Sequence, residues 1–393
     1  MASQLKISIL VSDLSQAGAG RWGGAVRTFL LAQALSQLGH QIEIVGFSFG
    51  EPPDPSQFAF PTTCVPGMNY PGFLRSAQTL LEFIQGDIIY ALRPKPTSFG
   101  LALFKRWQQH RPIILDIDDW ELSWHGGDKW RYRPGLKQFG RDVLKREGAL
   151  RQPDHPLYLK WMEDRVHLAD AVTVHTRFLQ ERFGGVYVPN GKDTTLFDPQ
   201  HYDPERSRQI YGLSDYRVLM FPGAPRPYKG IEDVLLALDR LEQPDLRVVI
   251  VGGSPYDDYD RRLKERWGRW LIYIPKLPYE KMPEVVAAAH VVLVPQRNTP
   301  AALAQFPLKL TDAMAMSKPV LASNVGDLPE ILGDTGYLVD PESPEQICDR
   351  LQDIFQDFDR ANRQGQQGRE RCHANYSISS MSNILASLLA NFV

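Results

Sequence analysis

Phe221–Leu238 reads FPGAPRPYKGIEDVLLAL, and Phe306–Leu332 reads FPLKLTDAMAMSKPVLASNVGDLPEIL. The first stretch is a strand ending at Gly223, a Gly/Pro turn carrying Arg226 and Lys229, and a helix that begins near Ile231. Two cations fixed at a helix entrance suit a phosphate. Read alone, the turn fits either a phosphate clamp or two solvated loop charges. The second stretch passes from a Pro/Asn/Gln loop into a helix, then into a buried strand and another turn. The first-turn amides and positive dipole end of that helix can meet an anion. Asp312, about one turn inside it, can accept hydrogen bonds from paired ribose hydroxyls or serve the helix dipole.

Outward from these segments, short Ile/Val/Leu runs alternate with longer amphipathic ones along the whole chain, the pattern of parallel strands covered by helices. Strands are expected at 6–11, 41–47, 87–92, 112–117, 171–175 and 186–189, and again at 217–221, 247–251, 271–274, 291–295, 319–323 and 336–339. Each half is then an α/β, doubly wound, Rossmann-like sheet. The stretch 189–212, PNGKDTTLFDPQHYDPERSRQIYG, favours turns over a continued sheet and holds the boundary. The expected organisation is a first domain over 1–195, a second over 196–376, and a terminal helix over 377–393 packing back on the first. Open parallel sheets bind ligands beyond the carboxyl ends of their strands, so a cleft between two facing sheets is the expected site.

The length of 393 residues supports two large domains. With 43% hydrophobic and 23% charged residues the composition is globular, and a formal charge of -2 gives no general attraction to nucleic acid. Cys64, Cys348 and Cys372 are widely spaced and odd in number, which indicates neither a disulfide framework nor a metal pair. A reducing cytoplasm fits that usage. The N-terminal apolar run is broken too early, at Asp13, for a signal peptide. No apolar stretch approaches the roughly 18 residues of a spanning helix. The expectation is a cytoplasmic protein, soluble or peripherally attached at the inner membrane face.

Other segments leave alternatives open. Gly18–Gly24, GAGRWGG, satisfies GxGxxG, but no acidic residue ends the second strand to hold a ribose. A flexible glycine loop that lets backbone approach a ligand, or a structural turn, fits better. Asp116, Asp118 and Asp119 close the strand PIILDID at its carboxyl end, where they can orient hydroxyls, act as a base, bind a metal, or cap the next turn. From Trp124 to Trp161, Lys and Arg residues interleave with Trp130, Tyr132, Phe139 and Tyr158. That pattern suits an anionic acceptor, a membrane surface, or a solvated helical face. Histidines show no metal-ligand spacing, and neither GxSxG nor a Cys-His signature appears.

At these residues the chain resembles the retaining glycosyltransferases of family 4, which have the two-domain GT-B fold. Gly23 and Gly24 followed by a helix and LGHQIEIVG match the family's opening glycine loop and second strand. VPNGKDTTLFDP matches the interdomain loop, and IYIPKLPYEKMPEVVAAAHVVLVP matches the base-binding turn and the segment after it. ASNVGDLPEIL, GYLVD and the terminal CHANYSISSMSNILASLL then come in the family's order. Six loose motifs in sequence are specific for the family and not for a substrate.

The resemblance implies that Arg226 and Lys229 clamp a donor diphosphate, that Asp312 with Thr311 sits at the nucleotide ribose, and that Phe306, Pro307 and Leu308 face sugar and phosphates. Gly23, Gly24 and Gly223 would border the donor, Lys276 and Leu277 would lie at the base, and Asp118 would be catalytic together with Arg226 and Lys229. Three departures accompany it. Ala304 stands where the family has the first acid of its glutamate pair, leaving a sugar contact absent or supplied by Gln305. Asp118 replaces the usual histidine, and Ala224 replaces an arginine, with Arg226 displaced along the loop. The implied activity is transfer of a glycosyl unit from a UDP, GDP or ADP sugar to a hydroxyl acceptor, a glycan or a lipid-linked one, with retention and without metal or cofactor. A nucleotide-sugar epimerase of the same architecture and a non-catalytic nucleotide-sugar or glycan binder are the rivals.

Overall fold

The computed structural model describes residues 4–15, 24–52, 54, 59–254 and 257–392. The chain forms two compact units, Met1–Pro189 with Met381–Val393, and Asn190–Ser380. The division therefore falls at the start of the Pro/Asp/Gly-rich stretch.

Unit 1 holds seven strands: β1 (Lys6–Val11), β2 (Gln41–Ser48), β3 (Thr62–Pro66), β4 (Ile88–Leu92), β5 (Ile113–Ile117), β6 (Ala171–Val174) and β7 (Val186–Tyr187). They pair in the order β3-β2-β1-β4-β5-β6-β7, all parallel. The central strands are buried throughout, which is why they read as unbroken Ile/Val/Leu runs. β3 is not anticipated from the sequence. It is an edge strand, half-exposed along TTCVP, and carries no apolar run. Helix Gly24–Gln37 follows β1, and the terminal residues of the chain return to it. Ser382 Oγ donates to the Ala34 carbonyl at 2.9 Å, while Met381, Leu385, Leu388 and Leu389 are buried.

Unit 2 repeats the plan with β8 (Arg217–Pro222), β9 (Leu246–Gly252), β10 (Leu271–Pro275), β11 (Val291–Val294), β12 (Val320–Ser323) and β13 (Tyr337–Val339). The order is β10-β9-β8-β11-β12-β13, again parallel. One core packs Val218, Met220, Val249 and Val292 with helices 282–287, 308–315 and 328–332. The other packs Leu219, Phe221, Ile250 and Leu293 with helices 231–241, 259–267 and 344–356. Alternate residues of each strand thus feed opposite faces, giving three layers. Strand order reverses between β1 and β4 in unit 1, and between β8 and β11 in unit 2. A crevice at the carboxyl ends of such a pair is where open α/β sheets hold ligands.

Candidate functional site

In unit 2 the reversal point is lined by the turn after β8. β8 is followed by Gly223 and β9 ends in Gly252, with φ of 116° and 121°. Neither carries a side chain, so the floor of the crevice is backbone. Pro227–Lys229 makes one 3-10 turn and Gly230, at φ 69°, turns the chain into helix Ile231–Leu241. A Cβ on Gly230 would lie 1.7 Å from the Pro295 carbonyl oxygen, so the turn rests directly on the end of β11. Arg297 fixes it from below: its amide donates to the Tyr228 carbonyl at 2.9 Å, and its guanidinium bonds both Asp233 oxygens at 3.0 and 2.8 Å.

The cations of this turn are constrained. Lys229 Nζ donates to the Ala224 carbonyl at 3.0 Å, and Arg226 has Asp257 at 3.7 Å. Burial, with Arg226 adding to it, lowers the Lys229 ammonium to about 8. A third cation, Lys309, is not among the residues the sequence marks out. It lies in the first turn of helix Leu308–Ala315, half-buried, with Nζ 3.6 Å from the centre of the Phe221 ring. Among the described residues it has no hydrogen-bond acceptor or ion-pair partner. Burial and then Lys229 hold its pKa well below the usual lysine value, with Asp312 pulling the other way. A site that depresses two ammonium groups by burial and by repulsion between cations is short of negative charge. The missing signal in the sequence was a lysine at a helix N-terminus, where the dipole opposes a cation unless an anion is present.

Asp312, inside helix Leu308–Ala315, is paired within its own unit. One of its oxygens accepts a short, buried hydrogen bond from Lys192 Nζ, within unit 2. Burial works against the Lys192 charge, but Asp312 overrides it and raises the ammonium pKa. Lys192 Nζ also stands 4.2 Å from the Phe197 ring centre. Thr311 Oγ1 donates back to the Leu308 carbonyl at 3.0 Å. Phe306 is buried beside Tyr376, Pro307 precedes the helix, and Leu308 is half-buried. Gln305 Oε1 accepts from Tyr228 OH at 3.1 Å, tying the two walls of unit 2 together. Ala304 is fully buried. Lys276, exposed, and Leu277, half-buried, follow β10. Gly23 lies outside the described residues, and Gly24 opens helix Gly24–Gln37.

In unit 1 the three aspartates at and just beyond the end of β5 part company. Asp116 is gripped by Arg27 at 2.7 and 3.0 Å and accepts from Thr173 Oγ1 at 2.7 Å. Asp118 is held by Arg93 at 2.6 and 3.2 Å; burial raises its pKa, but Arg93 overrides this and keeps the carboxylate low. Asp119 accepts from Trp124 Nε1 at 3.1 Å, and its other oxygen is buried with no hydrogen-bond partner among the described residues. Burial lifts its pKa to about 7 against the pull of Arg93, helped by Glu121 and Asp118. Among the described residues, no His/Cys/Asp/Glu group is arranged to hold a metal.

Two doubly wound parallel sheets, the second with a cationic crevice at its carboxyl end, define a GT-B protein. The chain belongs to the family 4 glycosyltransferases. Residues 22–196 match the family model described as Glycosyltransferase Family 4, and residues 203–371 match Glycosyl transferases group 1. It is 31% identical over 238 residues to the GDP-mannose-dependent alpha-(1-6)-phosphatidylinositol monomannoside mannosyltransferase of Mycolicibacterium smegmatis, covering 56% of this chain and 62% of that one. It is 32% identical over 215 residues to the D-inositol 3-phosphate glycosyltransferase of Corynebacterium efficiens, covering 51% of this chain and 49% of the other. The chain thus spans about half to three fifths of the length of these curated relatives. In fold it resembles Anabaena HepE in complex with UDP and glucose, with TM-score 0.72, 16% identity, and 98% and 100% of the two chains covered.

Proposed function

We propose that the protein is a retaining glycosyltransferase that moves a sugar from a nucleotide diphosphate sugar to a hydroxyl acceptor. The observation that carries this reading is the cluster Arg226, Lys229 and Lys309, with two ammonium groups held below their ordinary pKa. A diphosphate relieves that repulsion. Each charge-assisted bond to it is worth roughly 1.5 to 3 kcal/mol. As the bond from sugar to phosphate breaks, negative charge grows on the leaving oxygen, and fixed cations stabilise it where other enzymes use a metal. The departing phosphate then takes the proton of the attacking hydroxyl, so no protein nucleophile is needed. Gly223 and Gly252 leave backbone room for the donor, and the family resemblance sets Thr311 and Asp312 at the ribose and Lys276 and Leu277 at the base. The same resemblance counts Asp118 among the catalytic residues, and the acceptor is a glycan or lipid-linked molecule met in the cytoplasm or at the inner membrane face.

Thermal-shift titration with UDP, GDP and ADP and their sugars, followed by turnover of the stabilising donor, tests the proposal. Lys229→Ala and Lys309→Met should each lower turnover on the order of a hundredfold. A chelator should leave turnover unchanged, because side chains supply the positive charge. Unaltered turnover in both variants would sink the assignment. Tight donor binding with neither transfer nor donor hydrolysis would replace it with a non-catalytic role, and acceptor-free sugar epimerisation with an isomerase.

A further inference from the structure

Between β5 and β6 lies a helix, Leu136–Leu144, whose polarity is reversed for a core element. Its buried side chain is Asp142, which accepts from Tyr132 OH at 2.9 Å. Arg151 Nε donates to the Val143 carbonyl at 3.0 Å, so the element is held to unit 1 by polar contacts. The apolar residues point outward: Leu136 is 94% exposed, Leu144 76%, Phe139 49% and Val143 39%. At about 100° per residue they share one arc of roughly 140°. Lys137 and Arg141 lie together beyond one edge of that arc, next to Leu144, and Lys145 follows the helix, all exposed. Residues 124–151 carry eight Lys and Arg against three Asp and Glu, in a chain whose formal charge is -2.

We propose that this face docks on an anionic lipid bilayer. The helix lies in the interface plane, with Leu136, Phe139, Val143 and Leu144 at the acyl boundary and the neighbouring cations on head-group phosphates. Both parts of the surface are then used. A nucleic acid would engage the cations and leave the aliphatic face in water. A second copy, related by a two-fold axis, would bring the same cations against themselves. The consequence for catalysis, delivery of a lipid-linked acceptor, rests on the glycosyltransferase reading; the docking does not.

Flotation of the full chain with phosphatidylcholine vesicles, with and without phosphatidylglycerol, tests it. The protein should float with the phosphatidylglycerol vesicles and be released by high salt. L136S/L144S should lower the bound fraction on the order of tenfold or more, and K137E/R141E about fivefold or more per position. Both variants should keep the nucleotide-induced thermal shift of the parent, which shows that they fold. Absence of flotation on phosphatidylglycerol vesicles, or flotation indifferent to L136S/L144S, overturns the proposal. So does a dimer in light scattering that L136S/L144S dissolves, which would make the face an interface between copies. Flotation without any nucleotide-induced shift would instead sink the donor site and leave the docking intact.

Discussion

Lys192 and Asp312 stand 120 residues apart in the chain and form a buried ion pair. Removing one partner of such a pair leaves an uncompensated charge. Asp312→Ala should cost about 3 to 5 kcal/mol in denaturant unfolding, and K192M/D312L should recover most of it. Equal stability of the two variants would show that the pair is not what holds this part of unit 2. A second residue-scale expectation concerns pH. Burial and Arg226 hold Lys229 at about 8, below its unfolded value, so the native ammonium loses its proton first as pH rises. Bound diphosphate raises that pKa again; donor binding therefore takes up protons, and affinity falls as pH climbs through about 8. Calorimetry in two buffers of different ionisation enthalpy reads the uptake directly, and Lys229→Ala should diminish it. Of these residues the sequence makes Arg226, Lys229 and Asp312 visible, because each sits in a turn or helix start of recognisable composition. Lys192 is hidden, since nothing local in PNGKDTT points to a partner so distant.

At the scale of elements, the turn after β8 depends on Gly230. Its positive φ and the 1.7 Å approach of a Cβ to the Pro295 oxygen leave no place for a side chain. Gly230→Ala should destabilise the protein by about 2 to 5 kcal/mol from backbone strain and overpacking together. The thermal transition measures that loss, and the nucleotide shift should weaken with it; an unchanged melting curve would contradict the packing. Twelve of the thirteen strands among the described residues are legible in the sequence, the central ones because a strand covered on both faces must be apolar along its length. β7, β10 and β13 are edge strands too, but each keeps a short apolar or aromatic run, whereas β3, TTCVP, has none. Helix 136–144 is visible as basic and aromatic, but which face it buries is a matter of packing that periodicity leaves open. Lys309 is hidden for a related reason: FPLKL directs attention to its backbone, and the ring of Phe221 beneath the ammonium belongs to a strand far away in sequence.

At the scale of the molecule, the chain enters unit 2 at Asn190 and leaves it after Ser380. Residues 381–392 then complete unit 1, where four of their apolar side chains are buried. Ending the chain at Ser380 removes burial worth roughly 1.5 to 3 kcal/mol per side chain from that unit. Calorimetric scanning of the shortened chain should show the unit 1 transition lowered or lost while a nucleotide-stabilised transition persists. Loss of both together would mean that the units do not fold separately.

The two points of passage are bonded to each other within unit 2. The Lys192 amide donates to the Tyr376 carbonyl at 2.6 Å, and the Ile378 amide donates to the Lys192 carbonyl at 3.0 Å. Gly191 lets them meet, since a Cβ there would stand 2.9 Å from the Ile378 Cα. Unit 2 is thereby a cassette: one chain interrupts another, with its two ends clasped where they emerge. A segment whose two ends are already bonded together has the layout of an inserted domain, which a host can take up between two of its residues without drawing those residues apart.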